Sequence, residues 1–201
     1  MSRKCLFLSI VALTFMVLAT TTVTPAYAAS VSPASSSIAN FEGHPIDLTK
    51  SWGAATACLV ARQEGVFECF RTRAELTTRK AQVTAAKLSN AQLVAAKVAA
   101  PDAGPASATR ATTSCSATLD LYSGQSYTGR ELSLIDEGYW QQLSAAGFDN
   151  TTVSFLGGAC SFHLAQGNFG QGYWYPGNTG AWSFASDMGT WDRTVSSVYI
   201  N

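Results

Sequence analysis

Charge is scarce in this chain: only 13% of its 201 residues are Asp, Glu, Lys or Arg, and 13 acids balance 13 bases. Without an excess of positive charge it lacks the phosphate-neutralising term that dominates nucleic-acid affinity, so nucleic acid is not an expected partner. Histidine is confined to His44 and His163, and no CxxC occurs. Neither a zinc site nor a Cys–His or Ser–His–Asp group therefore has its residues in a recognisable arrangement. Long apolar runs are almost absent as well. The one present, Leu6 to Ala19, is shorter than the roughly 20 residues that span a bilayer, so no stable membrane insertion is expected. Against these shortages stand 47% hydrophobic and 11% aromatic residues, enough for a core and too many for wholesale disorder.

The apolar run follows Arg3 and Lys4 and precedes Ala26 and Ala28, small residues three and one positions before a cut after Ala28. That order is the signature of a secretory signal peptide over residues 1–28, and the mature chain is expected to be secreted and extracellular. Cys5 falls in the leader, which leaves Cys58, Cys69, Cys115 and Cys160. Four cysteines in an exported chain read as two disulfides, with three pairings open. Proximity favours Cys58–Cys69 and Cys115–Cys160, closures worth roughly 3 and 4 kcal/mol on the loop-entropy estimate.

Composition then divides the chain. Residues 29–40 are small and polar and read as a flexible leader; residues 101–114 are rich in Pro, Ala, Gly and Thr and read as a linker. Residues 41–100 and 115–201 lie between and beyond them. Residues 29–110 carry a net of three positive charges and residues 115–201 a net of five negative ones, so the two regions either attract one another or present different surfaces. Residues 115–201 are expected to stay folded when the first region is removed.

In the first region, Leu59–Ala61 and Val66–Phe70 flank Gly65, a pattern for a β-hairpin that a Cys58–Cys69 bridge would staple. Thr72 and Glu75 match a capping box, and a run of good helix formers continues to Ala100. Leu76, Val83, Asn90 and Val94 make no clean apolar stripe. The basic residues Arg79, Lys80, Lys87 and Lys97 are spaced widely, as on a solvated face rather than a membrane-binding one.

The second region repeats itself. A 42-residue offset places Tyr127 on Phe169, Trp140 on Trp182, Gly147 on Gly189, Val153 on Val195 and Ser154 on Ser196. Two units of short strands, packed face to face around matched aromatics, are expected. On this register Gln171 stands where Gly129 would repeat, so the second turn is expected to differ. Gly124 is expected to take a positive φ in the first.

Tyr122, Tyr127 and Gly129, with a partial second copy at Leu164 and Phe169, and the endings NTTVSF and WDRTVSSVYIN resemble the tandem Greek keys of the βγ-crystallin superfamily. The resemblance covers residues 115–201. It implies an all-β crystallin-like Greek key sandwich at the C-terminus, preceded by the small hairpin-plus-helix region. It also implies a calcium pattern, for which Asn150, Ser154, Asp192 and Ser196 are the candidate ligands. Thr151 and Arg193 stand where further oxygen ligands belong, so calcium is expected to bind weakly, with no cofactor required for folding. The same serines could instead complete turn hydrogen bonds. The superfamily includes the secreted Streptomyces metalloproteinase inhibitor family, which makes metalloproteinase inhibition the alternative function.

Tyr173, Trp174 and Tyr175 form the candidate binding surface, either packed in the core or displayed to an extracellular protein or polysaccharide. Asp136 and Glu137 are the nearest carboxylate pair, but neighbours on a strand point to opposite faces, a poor arrangement for glycosidase chemistry. A non-enzymatic binding or structural protein is the expectation.

Overall fold

A computed structural model describes residues 36–98 and 118–201, and for residues 93–98 only the backbone. The segment expected to be a signal peptide, most of the expected leader, the expected linker and Cys115 lie outside the described residues. Chain order is β1 (Ile38–Phe41), β2 (His44–Asp47), β3 (Ala57–Ala61), β4 (Val66–Phe70), α1 (Arg73–Val98), β5 (Leu119–Tyr122) and β6 (Glu131–Leu134), then β7 (Trp140–Gln142), β8 (Ser154–Gly157), β9 (Phe162–Ala165), β10 (Phe184–Ala185) and β11 (Ser197–Ile200).

The expected hairpin forms as β3 and β4, with Gly65 at φ 70° closing its turn and Cys58 bonded to Cys69 across the register. The capping box forms too. Thr72 N–H donates to Glu75 Oε2 at 2.9 Å and Glu75 N–H to Thr72 Oγ1 at 3.3 Å. The leader ends earlier than expected: β1 begins at Ile38, with Ala39 buried, because its backbone pairs with both β2 and β4.

One sheet runs β10-β8-β5-β6-β3-β4-β1-β2 and a second runs β7-β11-β9. The third strand of each repeat unit crosses to the other unit's sheet: β7 pairs with β11, and β10 with β8. That exchange interlocks the two Greek keys. Leu119, Leu121, Leu132, Leu134, Phe155, Phe162, Leu164, Val198 and Ile200 fill the space between the sheets. Cys160 is buried and disulfide-bonded, and its partner lies outside the described residues.

The repeat is real but its register is 43 residues, not 42. β5 and β8 superpose on β9 and β11 at that offset, down to the pairs Asp120↔Leu156 and His163↔Tyr199. Gly129 (φ 76°) then matches Gly172 (φ 77°), so the two turns share one geometry after all. Gly124 is extended at φ −134°, not positive. Trp140 and Trp182 are not equivalents: Trp140 packs against Trp174 and Tyr199, whereas Trp182 is exposed. Matching bulky side chains by identity selected the wrong register; the backbone hydrogen bonds select the right one.

The two compositional regions share a single sheet and core. β3 lies parallel to β6, pairing Ala57 with Glu131 and Val60 with Leu134. Because β3 has α1 on one face and the core on the other, all five of its residues are buried, which explains its continuous apolar run. Trp52 is buried against Phe148 and its Nε1–H donates to the Ala146 carbonyl at 2.8 Å. Gly147, at φ 60°, admits the Leu48 carbonyl where any Cβ would collide with it.

α1 lies on the outer face of the large sheet. Leu76 and Val83 pack with Ala57, Leu59, Ala61 and Ile135. Three of the four basic residues do not form a solvated face, and the side chain of the fourth, Lys97, lies outside the described residues. Arg79 pairs with Glu68 at 2.7 Å, Lys80 with Asp120 at 2.8 Å, and Lys87 with Glu137 at 2.8 Å. The opposite charges of the two regions thus meet, and the apolar stripe is incomplete because half of the docking face is ionic.

This shared sheet reverses the expectation for the isolated second region. Residues 111–201 expressed alone would expose the β6 edge and the surface that receives Trp52. They should lose the sharp thermal transition of the mature chain; a truncated protein melting cooperatively at the same temperature would contradict this.

Candidate functional site

The four calcium candidates do not converge. Ser154 Oγ donates to the Gly124 carbonyl at 2.7 Å and accepts Tyr127 N–H at 3.1 Å, pinning the folded-over turn. Ser197, not Ser196, repeats this role: its Oγ donates to the Gly167 carbonyl at 2.6 Å and accepts Gly170 N–H at 3.0 Å. Ser196 Oγ lies 3.5 Å from Asn150 Oδ1, and Asp192 Oδ1 accepts Met188 N–H at 3.2 Å. The 43-residue register makes Asn150 the partner of Arg193, both with left-handed backbone, and Val153 the partner of Ser196.

Two related clefts follow. One is lined by Ser123, Gly124, Gln125, Val153, Asp192 and Arg193, where a methyl-bearing side chain and a guanidinium occupy the positions that hold Ser196 and Asn150 in the other. Calcium takes six to eight oxygens, so the Arg193 cleft does not fit it. The Asn150–Ser196 cleft supplies two neutral oxygens beside the Asp149 carboxylate, which is 3.4 Å from Asn150 Nδ2. No group of three or more His, Cys, Asp or Glu is placed to hold a metal ion among the described residues.

The aromatic candidates separate by burial. Tyr175 turns inward, edge-on to Phe155 at 5.6 Å and to Trp191 at 5.7 Å, and belongs to the core. Tyr173 and Trp174 face outward, 78% and 50% exposed. Trp174 is nevertheless held firmly. Its Nε1–H donates to the Gly170 carbonyl at 2.8 Å, and its ring lies 4.7 Å from His163 and 5.6 Å from Trp140. Gly170 is required there because a Cβ would stand 2.3 Å from the Trp140 ring. Trp140, Tyr199 and His163 sit side by side in the register of β7, β11 and β9 and face away from the core. The alternations FHLA and SVYI place His163 and Tyr199 on the outer face, whereas the repeat match with Trp182 wrongly assigns Trp140 to the core. Phe169 and Trp182, expected in the core as matched aromatics of the repeat, are exposed instead, as is Phe184, because the true register is shifted by one residue.

The carboxylates are structural. Buried Asp136 accepts the backbone N–H groups of Arg62 at 2.8 Å and Gln63 at 3.2 Å and the Tyr139 hydroxyl at 2.6 Å, so it caps the β3–β4 turn from the second region. Glu137 is taken by Lys87, and the pair diverges as expected for neighbours in an extended segment. Burial, reinforced by Asp136, raises the Tyr139 pKa. Glu131 is also raised, first by burial and then by Asp120, which together outweigh the Arg73 guanidinium 3.2 Å away.

No family model and no curated protein matches the chain. Solved structures with a similar fold include a βγ-crystallin from Ciona intestinalis, at 18% identity over 42% of this chain and 99% of that one, with a TM-score of 0.36. They also include a βγ-crystallin from an archaeon at 12% identity, covering 42% and 98%, with a TM-score of 0.34. A mutant βγ-crystallin domain from Clostridium beijerinckii is 17% identical over 41% and 95%, also at 0.34.

Two outcomes follow from this geometry. Ser154→Ala and Ser197→Ala should each lower stability by about 1–3 kcal/mol, because a buried turn loses both a donor and an acceptor; urea denaturation showing either substitution to be neutral would contradict the paired role. Glu131, with its folded pKa above the unfolded value, stabilises most at low pH and loses that contribution as pH rises through the folded pKa. Glu131→Gln should therefore flatten the decline in melting temperature above the ordinary carboxylate range. Arg73 tolerates the change because it also donates to the Tyr127 and Gly129 carbonyls. A steeper decline in the variant would overturn the assignment.

Proposed function

We propose that the mature chain is a secreted, disulfide-stabilised, non-enzymatic binding module of the βγ-crystallin type. The observation that carries this reading is Trp174: a ring fixed by one hydrogen bond and two aromatic neighbours, yet half exposed beside the more exposed Tyr173. A side chain ordered before contact loses little conformational freedom on binding, which is how a recognition surface gains affinity. Export follows from the leader at residues 1–28, and the Cys58–Cys69 bridge suits an oxidising compartment. Calcium, in this reading, is an accessory ligand confined to the Asn150–Ser196 cleft and weak because that cleft supplies few oxygens.

Metalloproteinase inhibition is the second reading, and one loop favours it. Trp182 is 71% exposed, and its backbone N–H donates to the Gly158 carbonyl at 2.7 Å. Ser183 Oγ donates to the Gly180 carbonyl at 2.7 Å, and Gly180 N–H to Asn178 Oδ1 at 3.0 Å. Such a pinned, protruding loop is the kind of element that enters a protease cleft.

Titration of the mature protein against a panel of secreted metalloproteinases separates the two. The binding-module reading expects no inhibition; stoichiometric inhibition lost in Trp182→Ala would establish the alternative. Calcium at about 10 mM acting on a roughly millimolar site adds about 1.4 kcal/mol, or about 3–5 °C in melting temperature for a chain of this size. Ser196→Ala should remove that shift. Submicromolar calcium binding, or folding that requires calcium, would overturn the accessory role.

A further inference from the structure

The two Greek keys treat the same outward face in opposite ways. In the first unit, Phe184, Leu156 and Asp120 form a row across β10, β8 and β5, with Glu131 on the adjoining β6. Asp120 and Glu131 are covered by α1, which meets them with Lys80 and Arg73. The corresponding row of the second unit is Trp140, Tyr199 and His163, and the counterpart of Glu131 is Trp174, which bridges Ala165 as Glu131 pairs with Tyr122. Both carboxylates have thus been replaced by rings. Gln142, Ser197 and Ala165 complete the outward register positions of the small sheet, so it carries no carboxylate, ammonium or guanidinium there.

We propose that this face binds a neutral polysaccharide, with Trp174 and Tyr173 as the stacking platform. The inference rests on the binding-module reading and names its partner. With no carboxylate, ammonium or guanidinium at its register positions and only Arg62 near Trp140 at its border, this face offers little to repay desolvation of a charged ligand, which disfavours acidic polymers and basic segments such as α1 itself. Flat rings with fixed positions suit the apolar C–H face of a sugar ring. The exposed Tyr173 hydroxyl adds a group that can bond to sugar hydroxyls. Trp174 is preorganised by its Gly170 hydrogen bond and by Trp140 and His163, whereas Trp182 and Phe184 belong to another part of the surface.

The test is retention of the full mature chain on immobilised neutral polysaccharides (amorphous cellulose, chitin and xylan), on anionic ones (alginate and heparin), and on gelatin as a protein coat. Binding to at least one neutral polymer that persists in 1 M NaCl is expected. Tyr173→Ala, a change at an exposed position that spares the fold, should weaken it at least fivefold, and Trp174→Ala at least tenfold. Trp174→Phe should recover part of the loss and Trp182→Ala should change nothing, with melting curves confirming that each variant is folded. Retention only on anionic polymers or gelatin would overturn the polysaccharide assignment and leave the binding module standing. Binding to neutral polymer that Tyr173→Ala and Trp174→Ala leave intact would overturn the assigned face. Retention on none of the surfaces would overturn both.

Discussion

Everything else in the molecule depends on β6 having hydrogen-bonding groups free on both of its edges. One edge pairs with β5 and closes the first Greek key, and the other receives β3, which brings β4, β1 and β2 with it. The second unit has no such strand. Where the first reads Glu131, Leu132, Ser133, Leu134, the second reads Trp174, Tyr175, Pro176, Gly177. Proline lacks the N–H that a ladder needs, and glycine has no side chain to pack. The strand shrinks to the single bridge between Trp174 and Ala165, and the sheet stops. A duplicated fold thereby becomes an asymmetric one: one sheet of eight strands, one of three.

The ionic contacts complement this asymmetry. Lys80 and Lys87 reach carboxylates of the second region at mostly buried positions, where each pair gives up hydration for its attraction. Such pairs add modest net stability, but they specify where a helix with only Leu76 and Val83 as apolar anchors can rest. Asp136 does the same for the β3–β4 turn by taking two backbone N–H groups from across the seam.

Features set by local chemistry were readable in the sequence. The Gly65 turn, the Thr72–Glu75 capping box and the Cys58–Cys69 staple each depend on residues within a dozen positions of one another, and each forms as expected. Greek key duplication was readable too, though one residue out of register, because Trp140 and Trp182 coincide by type while Ser154 and Ser197 correspond by hydrogen bonding. What stayed hidden was pairing over long separations. Nothing near β3 announces β6 as its partner, and a basic residue on a helix looks the same whether it faces water or a distant carboxylate. The candidate surface was half legible: alternation could assign one of Tyr173, Trp174 and Tyr175 to the interior, but not show that His163, Trp140 and Tyr199 lie beneath Trp174.

The β3–β6 seam also has a bearing on how the chain is made. Ala57 and Glu131 pair across 74 residues of sequence. At a synthesis rate of about 5–20 residues per second, β3 waits about 4–15 s for its partner. Throughout that interval ACLVA is a fully apolar strand with one open edge, the template on which aggregation starts. The hairpin with β4 can form early and protect the other edge, but β6 alone covers this one.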